Sequence, residues 1–150
     1  MQAIVSEHPA RAEEIVGACE QLAAACQAAH LDDDVIYRVR LVLDELGANL
    51  VNHQLQPDDR FQLDARIDAT GVELALTYGG PAFDPTQQAA PDLSIPFDER
   101  PTGGLGLHLV RESVERFSYE RVGAENRLSI LIKPRAAPAP HPHGEAKHGP

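Results

Sequence analysis

The apolar residues of this 150-residue chain change their spacing part-way along, and that change limits the folds open to it. In the first fifty residues they recur every three or four positions, and from residue 61 onwards they alternate. Two helices are therefore predicted first, over residues 9–29 and from the acidic run Asp32-Asp33-Asp34 to about residue 50. Pro9 suits a first helical position, and a short strand from Ala3 to Val5 precedes it.

Strands follow the helices. The alternation predicts two antiparallel strands, residues 61–67 and 72–76, joined by a turn that contains Gly71. Helical spacing returns over residues 107–114, and a closing hairpin is predicted around Gly123. Residues 79–104 lack periodicity and are rich in Gly, Pro, Asp and Gln, so they form either a functional lid or a floppy insertion.

The chain reads as one domain, residues 1–134, followed by a tail. Residues 135–150 are rich in Pro, Ala and His, a composition that cannot bury a core, and they are predicted to be disordered. The histidines of that tail either bind metal adventitiously or are simply solvated. They are His141, His143 and His148.

The composition and charge of the chain exclude some classes of function. Thirteen basic residues against 23 acidic ones give a net charge of −10, which argues against binding nucleic acid. No apolar run approaches the ~18 residues that span a bilayer, so a soluble, cytoplasmic protein without a membrane role is expected. Cys19 and Cys26 lie seven apart in an apolar-periodic stretch and are predicted to be packed thiols.

The second helix carries the first group of candidate site residues. Glu45 and Asn49 are four residues apart and share one helical face at the edge of the apolar stripe, and Asn52 and His53 continue it. A carboxylate beside a carboxamide suits metal binding and base chemistry on a phosphate. The alternative is an ordinary solvated polar face.

The second group opens the third helix. Gly103-Gly104-Leu105-Gly106 follows Thr102, and the unpaired N–H groups of such a helix start can receive phosphate oxygens, although a tight turn explains the glycines equally well. Arg100 could reach a phosphate or be a solvated charge. Arg111 could contact phosphate, but pairing with Glu115 four residues on is favoured.

The order of these motifs along the chain, and the spacing between them, make a resemblance to a known family specific. Leu43 to His53 looks like the N box of the histidine-kinase-like ATPases, Gly80 to Pro85 resembles their GPPFDP segment, and TGGLGLHLVR at residues 102–111 is similar to their phosphate-lid box. The resemblance spans about residues 10–133. Since no phosphoacceptor hairpin or sensor domain is recognisable, the chain most resembles the small anti-sigma-factor serine/threonine kinases.

The resemblance implies an α+β two-layer sandwich, with helices on one face of a mixed sheet (the Bergerat fold), and ATP and Mg²⁺ between helix two and the lid. It implies that Glu45 is the general base that takes the proton of a protein serine, and that Asn49 holds Mg²⁺. The other cofactor-binding positions that it implies are Asn52, Gly80, Phe83, Arg100, Thr102, Gly103, Gly104, Leu105 and Gly106.

The implied partners are proteins. In the family, the kinase phosphorylates a STAS-type anti-anti-sigma protein, the unphosphorylated antagonist competes with a sigma factor for the kinase, and the kinase is expected to form a homodimer. Tyr78, followed by Gly79, stands where the family carries an adenine-reading aspartate. It either contacts the base or faces the core. The alternative function is accordingly a nucleotide-independent module that sequesters a partner on the same fold.

Overall fold

A five-stranded antiparallel sheet is the base of the fold in the computed structural model, which describes residues 1–87, 94–96 and 104–135. The spatial order is β1-β2-β3-β5-β4. The bounds are Gln2–Pro9 for β1, Arg60–Asp68 for β2, Gly71–Tyr78 for β3, Arg116–Val122 for β4 and Glu125–Ile132 for β5. The prediction of strands, a turn at Gly71 and a closing hairpin is confirmed.

The predicted mixed character of the sheet is wrong, because each of the four strand pairings is antiparallel. The connection that contains the third helix does bring β4 parallel to β3. However, β5 returns from β4 through a tight hairpin and inserts between the two, and it pairs antiparallel with both. The parallel strands are therefore never neighbours.

The α-helices in the described residues are α1, Ala12–Ala28, α2, Asp33–Asn49, and α3, Gly104–Ser113. The carboxylate of Asp32 caps α2 by accepting from the Val35 N–H at 3.0 Å, as the acidic run predicted. Pro9 does not begin α1; it ends β1, an edge strand on which a residue without an N–H is tolerated. None of the helices in the described parts of the chain has the length and apolar character needed to cross a bilayer.

The core lies between the helices and one face of the sheet, where alternate residues of β2, β3 and β5 are buried. At the α1–α2 contact, Gly47 allows a close approach, since a Cβ there would lie 2.7–2.9 Å from side-chain atoms of Ile15. Cys19 and Cys26 are buried free thiols, as predicted. Burial and the neighbouring Asp44 carboxylate raise the pKa of Cys19 to about 12, so it is a packing group rather than a reactive one.

One buried arginine fixes the end of α3. The guanidinium of Arg38, on α2, donates to the Ser113 carbonyl at 3.2 Å, to Glu115 Oε1 at 3.3 Å and to the Lys133 carbonyl at 2.7 Å. It also pairs with Asp34 at 2.8 Å. Arg38 is 2% exposed, so its charge depends on these partners. The last turn of α3 is thereby attached to α2 and to the end of β5.

Candidate functional site

Helices α2 and α3 run antiparallel, which brings Glu45 to the first turn of α3. Arg38 lies at the C-terminal end of α3 and Glu45, seven residues further along α2, lies at its N-terminal end. A Cβ added to Gly106 would overlap Oε1 of Glu45 and would lie 3.1 Å from its Cδ. Only glycine therefore leaves room for this carboxylate against the backbone of α3.

The start of α3 is suited to receive an anion. Gly104 is its first residue, and the N–H groups of a first helical turn have no intrahelical acceptor. The positive end of the helix dipole lies at the same place. Leu105 is half-buried, whereas the next residues that face the core are Leu107 and Val110. The helix start is thus held by packing while its backbone donors lie beside Glu45.

Asn49 follows Glu45 by one turn of α2 and has an unpaired polar atom. Its Nδ2 is buried and has no hydrogen-bond partner among the residues that the structure describes. A buried amide of this kind is a group with binding capacity left over. The unpaired nitrogen is a donor and suits a phosphate oxygen, while the amide oxygen of Asn49 is a hard ligand of the kind that Mg²⁺ prefers, so Asn49 fits a magnesium–phosphate group.

Beyond Asn49 the helix widens into a π-helical turn, Leu50–Gln54. Within it, Asn52 and His53 are exposed. Asn52 lines a shallow groove between α1 and α2 together with Val16 and Ala48. The wider turn rotates Asn52 towards α1, away from the face that carries the Glu45–Gly106 contact.

The segment after β3 lies against the end of this turn. Gly80 has a φ of +94°, which suits glycine, and a Cβ there would be 3.7 Å from the Gln54 carbonyl oxygen. Phe83 is half-buried. Asp84 accepts from the N–H and the hydroxyl of Thr86 and so forms a local turn, which leads into the short helix Pro85–Gln87.

Arg111 connects α3 to this segment. Its Nη1 donates to the Thr86 carbonyl at 3.1 Å. The favoured pairing of Arg111 with Glu115 is therefore wrong. Glu115 instead accepts from Arg38 and from the Lys133 N–H, because it lies beyond the end of α3, where the helical i, i+4 geometry no longer applies.

Tyr78 belongs to the core. It is 1% exposed and sits between its cross-strand neighbours Phe61 on β2 and Asn126 on β5. Its hydroxyl is buried without a hydrogen-bond partner among the described residues. Burial raises the pKa of Tyr78 to about 12, with smaller contributions from Tyr119 and Asp84. Of the two interpretations left open by the sequence, the structure shows the core-facing one.

Sequence reasoning missed a polar cluster on the closing hairpin. Asn126 is fully buried, accepts from the Tyr119 hydroxyl and donates to backbone carbonyls of the segment after β3. Arg121 donates to the Gly80 carbonyl at 2.6 Å. One signal was present, because Asn126 opens an alternating series whose other members, Leu128 and Ile130, are apolar, and a polar residue on a buried face needs partners.

Several sequence predictions fall outside the described residues. Arg100, Thr102 and Gly103 belong to the span 97–103, and all of the predicted disordered tail except Arg135, including its histidines, lies in residues 136–150. Within the described ranges no group of three or more His, Cys, Asp or Glu side chains is placed to hold a metal ion. A magnesium ion at Asn49 would therefore need further ligand oxygens, such as those of phosphate groups and water.

Residues 8–132 match the family model described as the histidine kinase-like ATPase domain. The chain belongs to the histidine kinase-like ATPase domain family. The family recognised from the three sequence motifs is thus confirmed, and its sandwich architecture agrees with the observed sheet and helices.

Two known proteins are similar to this chain, one in sequence and one in fold. It is 32% identical over 96 residues to the serine/threonine-protein kinase BtrW of Bordetella bronchiseptica, and the match covers 63% of this chain and 68% of BtrW. Its fold is similar to part of the solved structure of the RsbU and RsbW domains of Rv1364c from Mycobacterium tuberculosis, with a TM-score of 0.63 and 12% identity over 89% of this chain. The chain spans about a third, 32%, of that longer structure.

Proposed function

We propose that this chain is an ATP-dependent protein serine/threonine kinase that also acts as an anti-sigma factor in a partner-switching system. The observation that carries the proposal is the contact between Glu45 and Gly106, which puts a carboxylate beside the anion-receiving start of α3. Membership of an ATPase family and the likeness to a serine/threonine kinase support the same chemistry.

The proposed roles of the site residues follow from their positions. Mg-ATP supplies the phosphoryl group that is transferred. Glu45 would accept the proton of the attacking serine or threonine hydroxyl as that oxygen bonds to the γ-phosphorus and the bond from the γ-phosphorus to the β-phosphate oxygen breaks, which releases ADP. Asn49 would hold Mg²⁺ through its amide oxygen, and the backbone N–H groups of residues 104–106 would bind phosphate oxygens.

The nucleotide side of the site is formed by the segment after β3. Gly80 and Phe83 lie on that segment. Asn52, which the resemblance also implies, instead lines the groove between α1 and α2. Thr102, Gly103 and Arg100 complete the phosphate side by resemblance to the family. The substrate is a STAS-domain antagonist, and the competing partner is a sigma factor. A homodimer in the cytoplasm is the expected working form.

A phosphate-transfer assay tests the proposal. The purified chain is incubated with Mg-ATP labelled in the γ-phosphate and with each STAS-domain protein of the source organism in turn. We expect label on a serine or threonine of one of them, no transfer by Glu45→Gln, and normal transfer by Glu73→Gln, an exposed glutamate on the opposite face of the sheet. Equal transfer by both variants would show that Glu45 is not the base.

One observation favours a second candidate function. Tyr78 fills with a buried aromatic ring the position at which the family reads adenine. The chain would then be a binding module that sequesters its partner without nucleotide. This alternative predicts partner binding that does not change when Mg-ATP is added or when Asn49 is replaced.

A further inference from the structure

The segment after β3 enters the candidate nucleotide site, and the closing hairpin fixes its position through hydrogen bonds from one buried amide. Asn126, the first inward-facing residue of β5, is fully buried. Its Nδ2 lies 3.2 Å from the Gly79 carbonyl oxygen and 3.3 Å from that of Pro81, with a longer contact of 3.5 Å to Tyr78 O. A single side chain therefore spans both sides of the Gly80 turn.

The other end of the amide is held by two donors. Oδ1 of Asn126 accepts from the Tyr119 hydroxyl at 2.6 Å and from Arg121 Nη1 at 3.3 Å. These donors fix the orientation of the amide, since turning it over would set its N–H groups against donors and its oxygen against carbonyls. The N–H groups are thus committed to the segment after β3.

Arg121 completes the arrangement, because the same Nη1 donates to the Gly80 carbonyl at 2.6 Å. The four consecutive carbonyls of residues 78–81 are consequently in contact with Asn126 or Arg121. Tyr78 packs into the core, but the residues after it do not: Pro81 and Ala82 are exposed, and the next buried residue is Pro85. Polar contacts, rather than apolar packing, define where the segment lies.

We infer that Asn126 is a positioning residue for nucleotide binding, which holds residues 79–81 in the conformation that meets the base side of the nucleotide. This inference rests on the proposed function, since Gly80 and Phe83 are placed on the nucleotide side there. Asn126 itself touches backbone and not the reacting atoms. Its loss should weaken the affinity for Mg-ATP and leave the transfer step at Glu45 unchanged.

The test compares Asn126→Asp with the wild type. The substituted carboxyl keeps the shape and the acceptor for Tyr119 but replaces the N–H donors that face the carbonyls. Losing two neutral hydrogen bonds corresponds to about a tenfold to hundredfold change in an equilibrium constant. We expect the KM for ATP and the calorimetric Kd of Mg-ATP to rise at least about tenfold, with kcat within about twofold.

Arg127→Gln is the matched control. Arg127 follows Asn126 on β5 but points to the opposite face, where it donates to the Thr77 hydroxyl. It should leave KM and kcat unchanged. Hydrogen exchange provides a readout without nucleotide: amides of residues 79–87 should exchange faster in Asn126→Asp, while those of β2 keep their wild-type rates.

Each outcome of these measurements either supports or overturns the inference about Asn126. A folded Asn126→Asp protein that binds Mg-ATP like the wild type, or that loses kcat at unchanged KM, overturns the inference while the proposed function stands. If that variant does not fold, Arg121→Gln decides, because Arg121 is exposed: a rise in KM of about threefold supports the inference and an unchanged KM overturns it. A wild type that binds no Mg-ATP refutes the proposed function itself.

Discussion

At the α2–α3 end of the candidate site, a carboxylate rests against a glycine turn and an amide nitrogen is buried without a partner in the described structure, whereas at the β3 end a tyrosine is packed into the core. The first end keeps polar groups with unused binding capacity. The second end holds its backbone with a buried polar cluster and offers no carboxylate at Tyr78. In the proposed kinase, phosphate transfer and recognition of the base would therefore be carried by separate elements, which could change separately.

The largest effect is expected at Glu45. Glu45→Gln removes the base and keeps the size of the side chain, so the rate of phosphate transfer should fall by about 10²–10⁴-fold. The Kd of Mg-ATP should stay within about threefold, because phosphate binding belongs to the α3 backbone and Asn49. Single-turnover kinetics with calorimetry measure both quantities. A fall in the affinity for Mg-ATP with an unchanged transfer rate would assign Glu45 to nucleotide binding. The proposed difference between the two ends of the site would then be wrong.

Gly106→Ala should affect activity without affecting stability. The new Cβ would overlap the Glu45 carboxylate, the flexible end of a long side chain, which can move aside. We expect transfer to drop about tenfold to a hundredfold through misplacement of Glu45, while the free energy of unfolding changes by less than about 1 kcal/mol. Urea denaturation and the transfer assay measure the two effects.

Gly17→Ala is the control for that substitution. Gly17 lies in α1, and a Cβ there meets no atom within 4 Å. It should therefore gain helix propensity and retain full activity. Equal loss of activity in both variants would mean that the Glu45–Gly106 contact has no special role.

At the β3 end, Tyr78→Phe should stabilise the protein. The substitution removes a buried hydroxyl that has no partner in the described structure, and such a group disfavours the folded state by about 1 kcal/mol. Tyr37→Phe, at an exposed tyrosine, should change nothing. If Tyr78→Phe instead weakens Mg-ATP binding at least tenfold, the hydroxyl contacts nucleotide and the two ends are more alike than the structure indicates.

The smallest effect concerns alkaline pH. The folded-state pKa of Tyr78, about 12, is above the usual value of about 10, so the folded protein holds this proton more tightly than the unfolded chain. Stability from this group is therefore complete below about pH 10 and is lost as the pH rises towards 12. Urea midpoints between pH 9 and 11 should fall less steeply in Tyr78→Phe than in the wild type. Identical slopes would contradict the burial of this phenol.

The sequence predicted the helices and strands better than it predicted the contacts between them. The change from helical to alternating spacing placed the helices and strands, because burial on one face dictates that period. The antiparallel insertion of β5 was not predictable, since a sequence pattern does not record which edge of a sheet a hairpin joins. Pro9 was misassigned because an edge strand and a helix start both tolerate a missing N–H.

The same distinction between predictable positions and unpredictable contacts applies to the candidate site. The sequence motifs and the resemblance pointed to Glu45, Asn49 and Gly106, and the approach of Glu45 to Gly106 is a consequence of the antiparallel packing of α2 and α3. Asn126 was missed because its partners are carbonyls 45 to 48 residues away, and backbone groups have no sequence signature. Tyr78 could be placed in the core only once its neighbours on β2 and β5 were known.

Calorimetry of Mg-ATP binding tests the central claim most directly. The wild type should bind Mg-ATP, and Asn49→Ala, which removes the amide beside Glu45, should bind it at least about tenfold more weakly. The absence of binding up to millimolar ATP, or equal binding by the two proteins, would contradict the account. The sequestering module without nucleotide chemistry would then be the better description of this chain.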